Sequence, residues 1–197
     1  MEKLVISPLQ EKHVPEAVEV LTLAYMNNPL HVAVFGRDDY NSNRIFLGAG
    51  LNRTAGLTYT AELDGAVVGV IRITKHPQPA VDSAETPPNE PPPPMLPEAA
   101  LKLIKEWMAT WESVHLRDSH YHFGPVAVLP ERQQQHIGSQ LMEHCCRILD
   151  REGEIGYLET ETTDNVKFYS RFGFQVVSEF TVLGLPNWSM KRLPVSR

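Results

Sequence analysis

Apolar side chains recur along this chain in two rhythms. Val14, Ala17, Val18, Leu21, Ala24 and Tyr25 fall at helical spacing, which lines up one face of a helix. Pro15 suits the first turn of that helix, and Asn27-Asn28-Pro29 marks its end. A weaker helical pattern lies within Asp38 to Arg53. Leu101, Ile104, Trp107, Met108, Trp111 and Val114 predict another amphipathic helix. So do Ile137, Leu141, Cys145, Ile148 and Leu149, and Asn165 to Phe172 reads as a short helix. Strand-like runs lie at Leu4–Ile6, Tyr121–Leu129, Ile155–Thr160, Phe174–Leu183 and Asn187–Arg192. The clearest local signal is a hairpin. Leu57–Leu63 and Ala66–Thr74 flank Asp64-Gly65, a pair that a type I′ turn prefers. The order predicts a mixed α/β fold with a hairpin-rich start and one strand–helix unit near the centre.

One segment breaks both rhythms. Residues 77–97 hold nine of the sixteen prolines, including Pro91 to Pro94. Such a stretch cannot occupy a sheet or helix interior. It reads as a surface insertion, either a plain loop or a polyproline spacer.

Composition narrows the class. The chain has 197 residues, 42% hydrophobic and 21% charged, enough to bury a core without staples. That excludes general disorder, a collagen-like chain and a disulfide scaffold. The net charge of -6 lacks the basic footprint of a nucleic-acid binder. The two cysteines, Cys145 and Cys146, are adjacent and fit packing in a reducing compartment better than a bridge. The first residues, MEKLVISPLQEKH, carry no secretory pattern. No apolar window reaches the roughly 18 residues of a membrane span. The expectation is a cytoplasmic protein with no membrane partner.

The informative segment runs from Phe123 to Leu141. Strand residues Phe123-Gly124-Pro125-Val126-Ala127-Val128-Leu129 lead into a polar turn, Pro130 to Gln135. A helix then starts near His136-Ile137-Gly138-Ser139. The first N–H groups of a helix have no internal partner and, with the dipole, attract an anion. Small residues at Gly138 and Ser139 let a phosphate approach. No Gly-Lys-Ser/Thr follows and no Gly-x-Gly-x-x-Gly is present, which excludes a P-loop and a Rossmann fingerprint. On chemistry alone the segment is a pyrophosphate cradle or an ordinary strand–helix turn.

This segment resembles the acetyl-CoA-binding motif of the GNAT superfamily of N-acetyltransferases, Gln/Arg-x-x-Gly-x-Gly/Ala. Gln133 fills the first position, His136 the fourth and Gly138 the sixth. A second stretch agrees: Tyr157-Leu158-Glu159-Thr160 followed by Asn165 to Phe174, similar to the family's LET…N…FYxxxGF. The likeness is strong over residues 120–192. The departure is His136, where the family usually has glycine. The resemblance implies the GNAT fold, a twisted, mostly antiparallel sheet of about six or seven strands flanked by helices. It implies one domain over residues 1–197, with the proline-rich segment inserted.

It also implies roles. Val126, Ala127 and Val128 would pair with the amides of the pantetheine arm. Gln133, Gln134, Gln135, His136, Ile137, Gly138 and Ser139 would hold the pyrophosphate, and Asn165 the pantetheine. Tyr169 would hydrogen-bond the leaving thiolate. A phenol near 10 and a thiol near 8.5 make full proton transfer uphill by roughly 2 kcal/mol, so a hydrogen bond is the better role. The acceptor amine must lose a proton, and Glu159, His120 and His122 are candidate bases. Glu159 is open to reading as a surface ion-pair carboxylate. His120 and His122 alternate on one strand face, so both are placed to line a cleft. A histidine pair also raises metal binding, but no third ligand has a convincing spacing, and no metal is expected.

The acceptor side is expected from the first helix and the loop after it, Tyr25 to Phe35, with Tyr25, Asn28, Phe35 and His120 as contacts. That segment has no carboxylate cluster, which disfavours polycationic acceptors. The expected activity is acetyl transfer from acetyl-CoA to the primary amine of a small molecule. The competing reading is a non-catalytic acyl-CoA sensor or interaction module. The family often forms dimers, so a homodimer is an expected arrangement.

Overall fold

The computed structural model describes residues 3–51, 56–77 and 96–195. Most of the proline-rich segment expected at 77–97 therefore lies outside the described residues. Seven strands form one sheet: β1 (Leu4–Pro8), β2 (Leu57–Leu63), β3 (Ala66–His76), β4 (His120–Val128), β5 (Ile155–Thr160), β6 (Gln175–Val182) and β7 (Leu185–Arg192). Their order across the sheet is β1-β2-β3-β4-β5-β7-β6. Every neighbouring pair is antiparallel except β4 with β5. Among the described residues the α-helices are α1 (Val14–Tyr25), α2 (Pro29–Phe35), α3 (Tyr40–Leu51), α4 (Glu98–Val114), α5 (Ile137–Glu152) and α6 (Thr163–Ser170).

The β2–β3 link is built as its residues dictate. Asp64 and Gly65 both take positive φ, 49° and 84°, as a type I′ turn requires. β3 is an interior strand, buried on both faces, so it reads as a near-continuous apolar run. Its Val68, Ile71 and Ile73 meet α5 on one side, while Val67 and Val70 meet α1 and α3 on the other. The apolar stripe of α5 lies wholly in the first of these cores, with Met142 and Cys146 added. Gly156 lets this helix sit close: a Cβ there would lie 2.8 Å from Leu149 Cδ2. Both cysteines are free and buried, and burial pushes the Cys146 thiol up to about 11.

One expected loop is a helix. Residues 29–35 form α2, where a loop was expected between Tyr25 and Phe35. Asn28 Oδ1 accepts from the N–H groups of Leu30 and His31 at 3.0 and 3.1 Å, and Pro29 sits at the first position. The signal that ends α1 is thus also the cap that starts α2. Leu30 and Val34 then pack with Ala100 and Trp107 of α4 and Val182 of β6.

Candidate active site

The sheet opens in its middle. Parallel pairing of β4 with β5 covers His120↔Ile155, Tyr121↔Gly156 and His122↔Tyr157 and then stops. After Phe123, β4 carries a bulge, with Gly124 and Pro125 opposite Arg72 alone. A bulge bends its strand away from a neighbour, and Pro125 offers no N–H to a ladder. Beyond it, β4 stays paired with β3 while β5 stays paired with β7. The edges facing each other across the gap are left open.

Side chains hold that open edge. Tyr25 Oη straddles Val126, accepting from its N–H at 3.4 Å and donating to its carbonyl at 3.5 Å. Gln133 Nε2 donates to the Val128 carbonyl at 3.2 Å. These are alternate residues, whose backbone groups point away from β3 into the gap. A strand edge presenting such groups is a template for an extended ligand carrying amides.

The gap continues into a cavity of ≈ 970 Å³. At one end stands the start of α5. Gln134 and His136 both take φ 61°, the left-handed region, and curl the turn so that it enters the helix. No side chain caps this helix, so its first-turn N–H groups keep their capacity for an anion. A Cβ on Gly138 would reach only ordinary contact with Phe168 and Val128, both 3.6 Å away. Arg132 and Arg171 line this end, and the Arg171 guanidinium lies over the Phe168 ring. The residues present fit a pyrophosphate with an attached amide-bearing arm.

Of the residues named from the sequence, the cavity brings together Tyr25, Asn28, His122, Val126, Ala127, Val128, Gln133, Gln134, His136, Ile137, Gly138, Ser139, Glu159, Asn165 and Tyr169. Three stand elsewhere. Gln135 is exposed, its amide donating to the Glu131 carbonyl. His120 is fully buried beneath the cavity floor, stacked on His76, with Nδ1 2.7 Å from the Asp118 carbonyl oxygen. Phe35 packs behind the wall against His31 and Phe46.

Glu159 is not a surface carboxylate. Its side chain is 1% exposed, and Oε2 lies 2.7 Å from His122 Nε2. His115 Nδ1 lies 3.7 Å from the other oxygen. Burial alone would raise this carboxyl, but the His122 and His115 rings outweigh burial and hold it well below the usual range. His76 joins the same group of rings. Burial first, then the neighbouring imidazoles, push it down to about 4. Among the described residues no three His, Cys, Asp or Glu side chains are arranged to hold a metal ion.

Glu161 escaped the sequence reading. It follows β5, is raised by burial, and accepts a hydrogen bond from the Asn28 amide, which lowers it again in part. The signal was present: it stands two residues beyond Glu159, on the same face by strand periodicity. Residues 25–35 themselves carry no carboxylate; Glu159 arrives from β5 and Glu161 from just after it, where it meets Asn28. Tyr169 lies close enough to Tyr25 and Glu161 to feel both. Burial, then these two neighbours, push its phenol above its ordinary value, so it stays an O–H donor.

The Acetyltransferase (GNAT) family profile matches residues 22–174. Curated proteins give no significant match. Solved structures of like fold include one from Corynebacterium glutamicum described as histone acetyltransferase HPA2 and related acetyltransferase. It has a TM-score of 0.72 at 19% identity, covering 100% of this chain and 99% of that one. The ribosomal-protein-S18-alanine N-acetyltransferase of Escherichia coli gives 0.58 at 17%, covering 99% and 96%. A GNAT family acetyltransferase of Brucella melitensis, crystallised with acetyl-CoA, gives 0.53 at 20%, covering 98% and 89%. At such identities the likeness is one of fold.

Proposed function

The chain belongs to the acetyltransferase (GNAT) family, and on that premise we propose that it transfers the acetyl group of acetyl-CoA directly to the primary amine of a small-molecule acceptor. The observation that carries this reading is the open edge of β4. It meets an uncapped helix N-terminus at one end and a buried carboxylate–imidazole pair at the other. We read the chain as one such domain, with the proline-rich segment at 77–97 inserted between β3 and α4.

The substrate supplies an activated acetyl carbon as a thioester. Val126 and Val128 bind its amides once the Tyr25 and Gln133 side chains give way. The N–H groups from His136 to Ser139 receive the pyrophosphate, assisted by Arg132 and Arg171. Asn165 faces the arm. On the acceptor side an amine reaches the site as an ammonium, which must lose a proton before its lone pair can attack. Glu159 and His122 together take that proton. In the transfer a C–N bond forms and the C–S bond breaks. Tyr169 donates a hydrogen bond to the sulfur as negative charge builds there. The attacking nitrogen sheds one of its two remaining protons to the thiolate and keeps the other, leaving a secondary amide and the free CoA thiol.

Tyr169→Phe tests this scheme. Turnover with acetyl-CoA and a responsive amine should fall about tenfold or more, with CoA affinity within about twofold of wild type. Unchanged turnover would remove Tyr169 from the chemistry.

A further inference from the structure

The end of the cavity away from α5 is walled by rings. His31 and Phe46 have centroids 5.6 Å apart, Phe46 and Trp107 5.7 Å, Trp107 and Trp111 5.2 Å, and Trp111 and His122 6.5 Å. The rings come from α2, α3, α4 and β4, and the row ends on the imidazole that holds Glu159. All five residues line the same cavity.

Charge is divided along that cavity. The lysines and arginines lining it among the described residues are Arg132 and Arg171, both beside the α5 end. The ring-walled end carries two buried carboxyls, Glu159 and Glu161, and no cation other than an imidazole. An ammonium is welcome beside these groups, and aromatic faces add to its attraction. A second ammonium further along would lie beyond both carboxyls, where the rings offset only part of its desolvation cost. A carboxylate on the acceptor would be forced against Glu159 and Glu161, where like charges repel.

Resting on the acetyltransferase reading above, we propose that the acceptor is a monocationic amine whose primary ammonium is carried on a flat aromatic body without a carboxylate. The aromatic body lies along Phe46, Trp107 and Trp111, and the nitrogen lies at the His122–Glu159 pair. The acceptor pocket selects by ring contact and by exclusion of negative charge.

The test uses the full chain with acetyl-CoA and five amines: phenethylamine, ethylamine, L-phenylalanine, spermidine and a short peptide with a free N-terminal alanine. CoA binding is followed separately by thermal melting. The expected result is a kcat/KM for phenethylamine at least about tenfold above each of the others, consistent with the worth of a ring contact and of an excluded charge. Trp111→Ala should cut the phenethylamine-to-ethylamine ratio about tenfold, while Trp111→Phe keeps most of it. Both variants should retain the melting shift with CoA, which separates loss of a contact from loss of fold. If CoA shifts the melt but phenethylamine has no advantage over ethylamine, or L-phenylalanine, spermidine or the peptide matches it, the acceptor assignment is wrong and the acetyltransferase reading stands. Absence of any CoA shift overturns both.

Discussion

The two ends of the cavity are made of different material. The α5 end is backbone from one continuous stretch, residues 123–139: an open strand edge, a turn with two left-handed residues and an uncapped helix start. The ring-walled end is side chains from α1, α2, α3, α4, β4 and β5, brought together only by folding. A backbone site binds what any chain of these dihedrals would bind, so it suits a cosubstrate common to many relatives. A side-chain site can be rewritten residue by residue, so it suits the acceptor, which differs among them. Damage should differ accordingly. Changes at the ring-walled end should alter catalysis and acceptor choice. Changes at the α5 end should alter coenzyme affinity.

The largest expected effect is at Glu159. Glu159→Gln keeps the shape but removes the base, and turnover should fall by about a hundredfold or more, the usual worth of general base catalysis. CoA affinity should stay within about twofold. The pH–rate profile separates this role from mere packing: the acidic limb expected of wild type should shift in both Glu159→Gln and His122→Ala. A profile identical to wild type in both would move the base elsewhere.

A smaller but global effect is expected from acid. Burial, opposed only in part by Asn43, holds His31 down to about 4, and His76 is held at a similar value. Both groups thus take up protons in the unfolded chain before they do so in the folded one. Between the ordinary 6.5 and about 4 the unfolded state binds more protons, so stability falls as pH falls through that window. Denaturation midpoints measured at about pH 7 and about pH 5 should differ, and His31→Gln should narrow the difference. His31 is part of the ring wall, so acid should loosen the acceptor end first.

The smallest effect is at His136. A non-glycine residue at φ 61° carries a strain of about 1 kcal/mol that glycine would lack. His136→Gly should raise the melting temperature by a few degrees and tighten CoA by a few-fold at most. It should leave the ranking of amines untouched. A changed ranking would break the division between the two ends.

The same division explains what the sequence made legible. Helix α5, its buried face and the strand before it follow from local spacing, and the motif around Gln133 and Gly138 lies within one stretch. The Asp64-Gly65 turn is likewise local. What escaped was non-local or doubly used. Asn28 reads as a stop signal, yet the same side chain starts α2 and holds Glu161. His120 alternates with His122, but the rings of His76, His115 and Tyr157 cover His120, which is fully buried, while His122 stands at the last β4–β5 pair and lines the cavity. Trp107 and Trp111 read as positions on one face of their own helix, and Phe46 lies within the weaker helical pattern. Nothing in their spacing says that their rings meet in a row.

The measurement closest to the central claim is a thermal melt with acetyl-CoA, CoA, ATP and NAD in parallel. At about 100-fold the dissociation constant a ligand adds about 2.7 kcal/mol, or roughly 5–11 °C for a chain of this size. That shift is expected for acetyl-CoA and CoA, and little for ATP or NAD, because on the proposed reading the pantetheine arm would pair along β4 and carry the specificity. No shift with acetyl-CoA, or an equal shift with ATP, would contradict it.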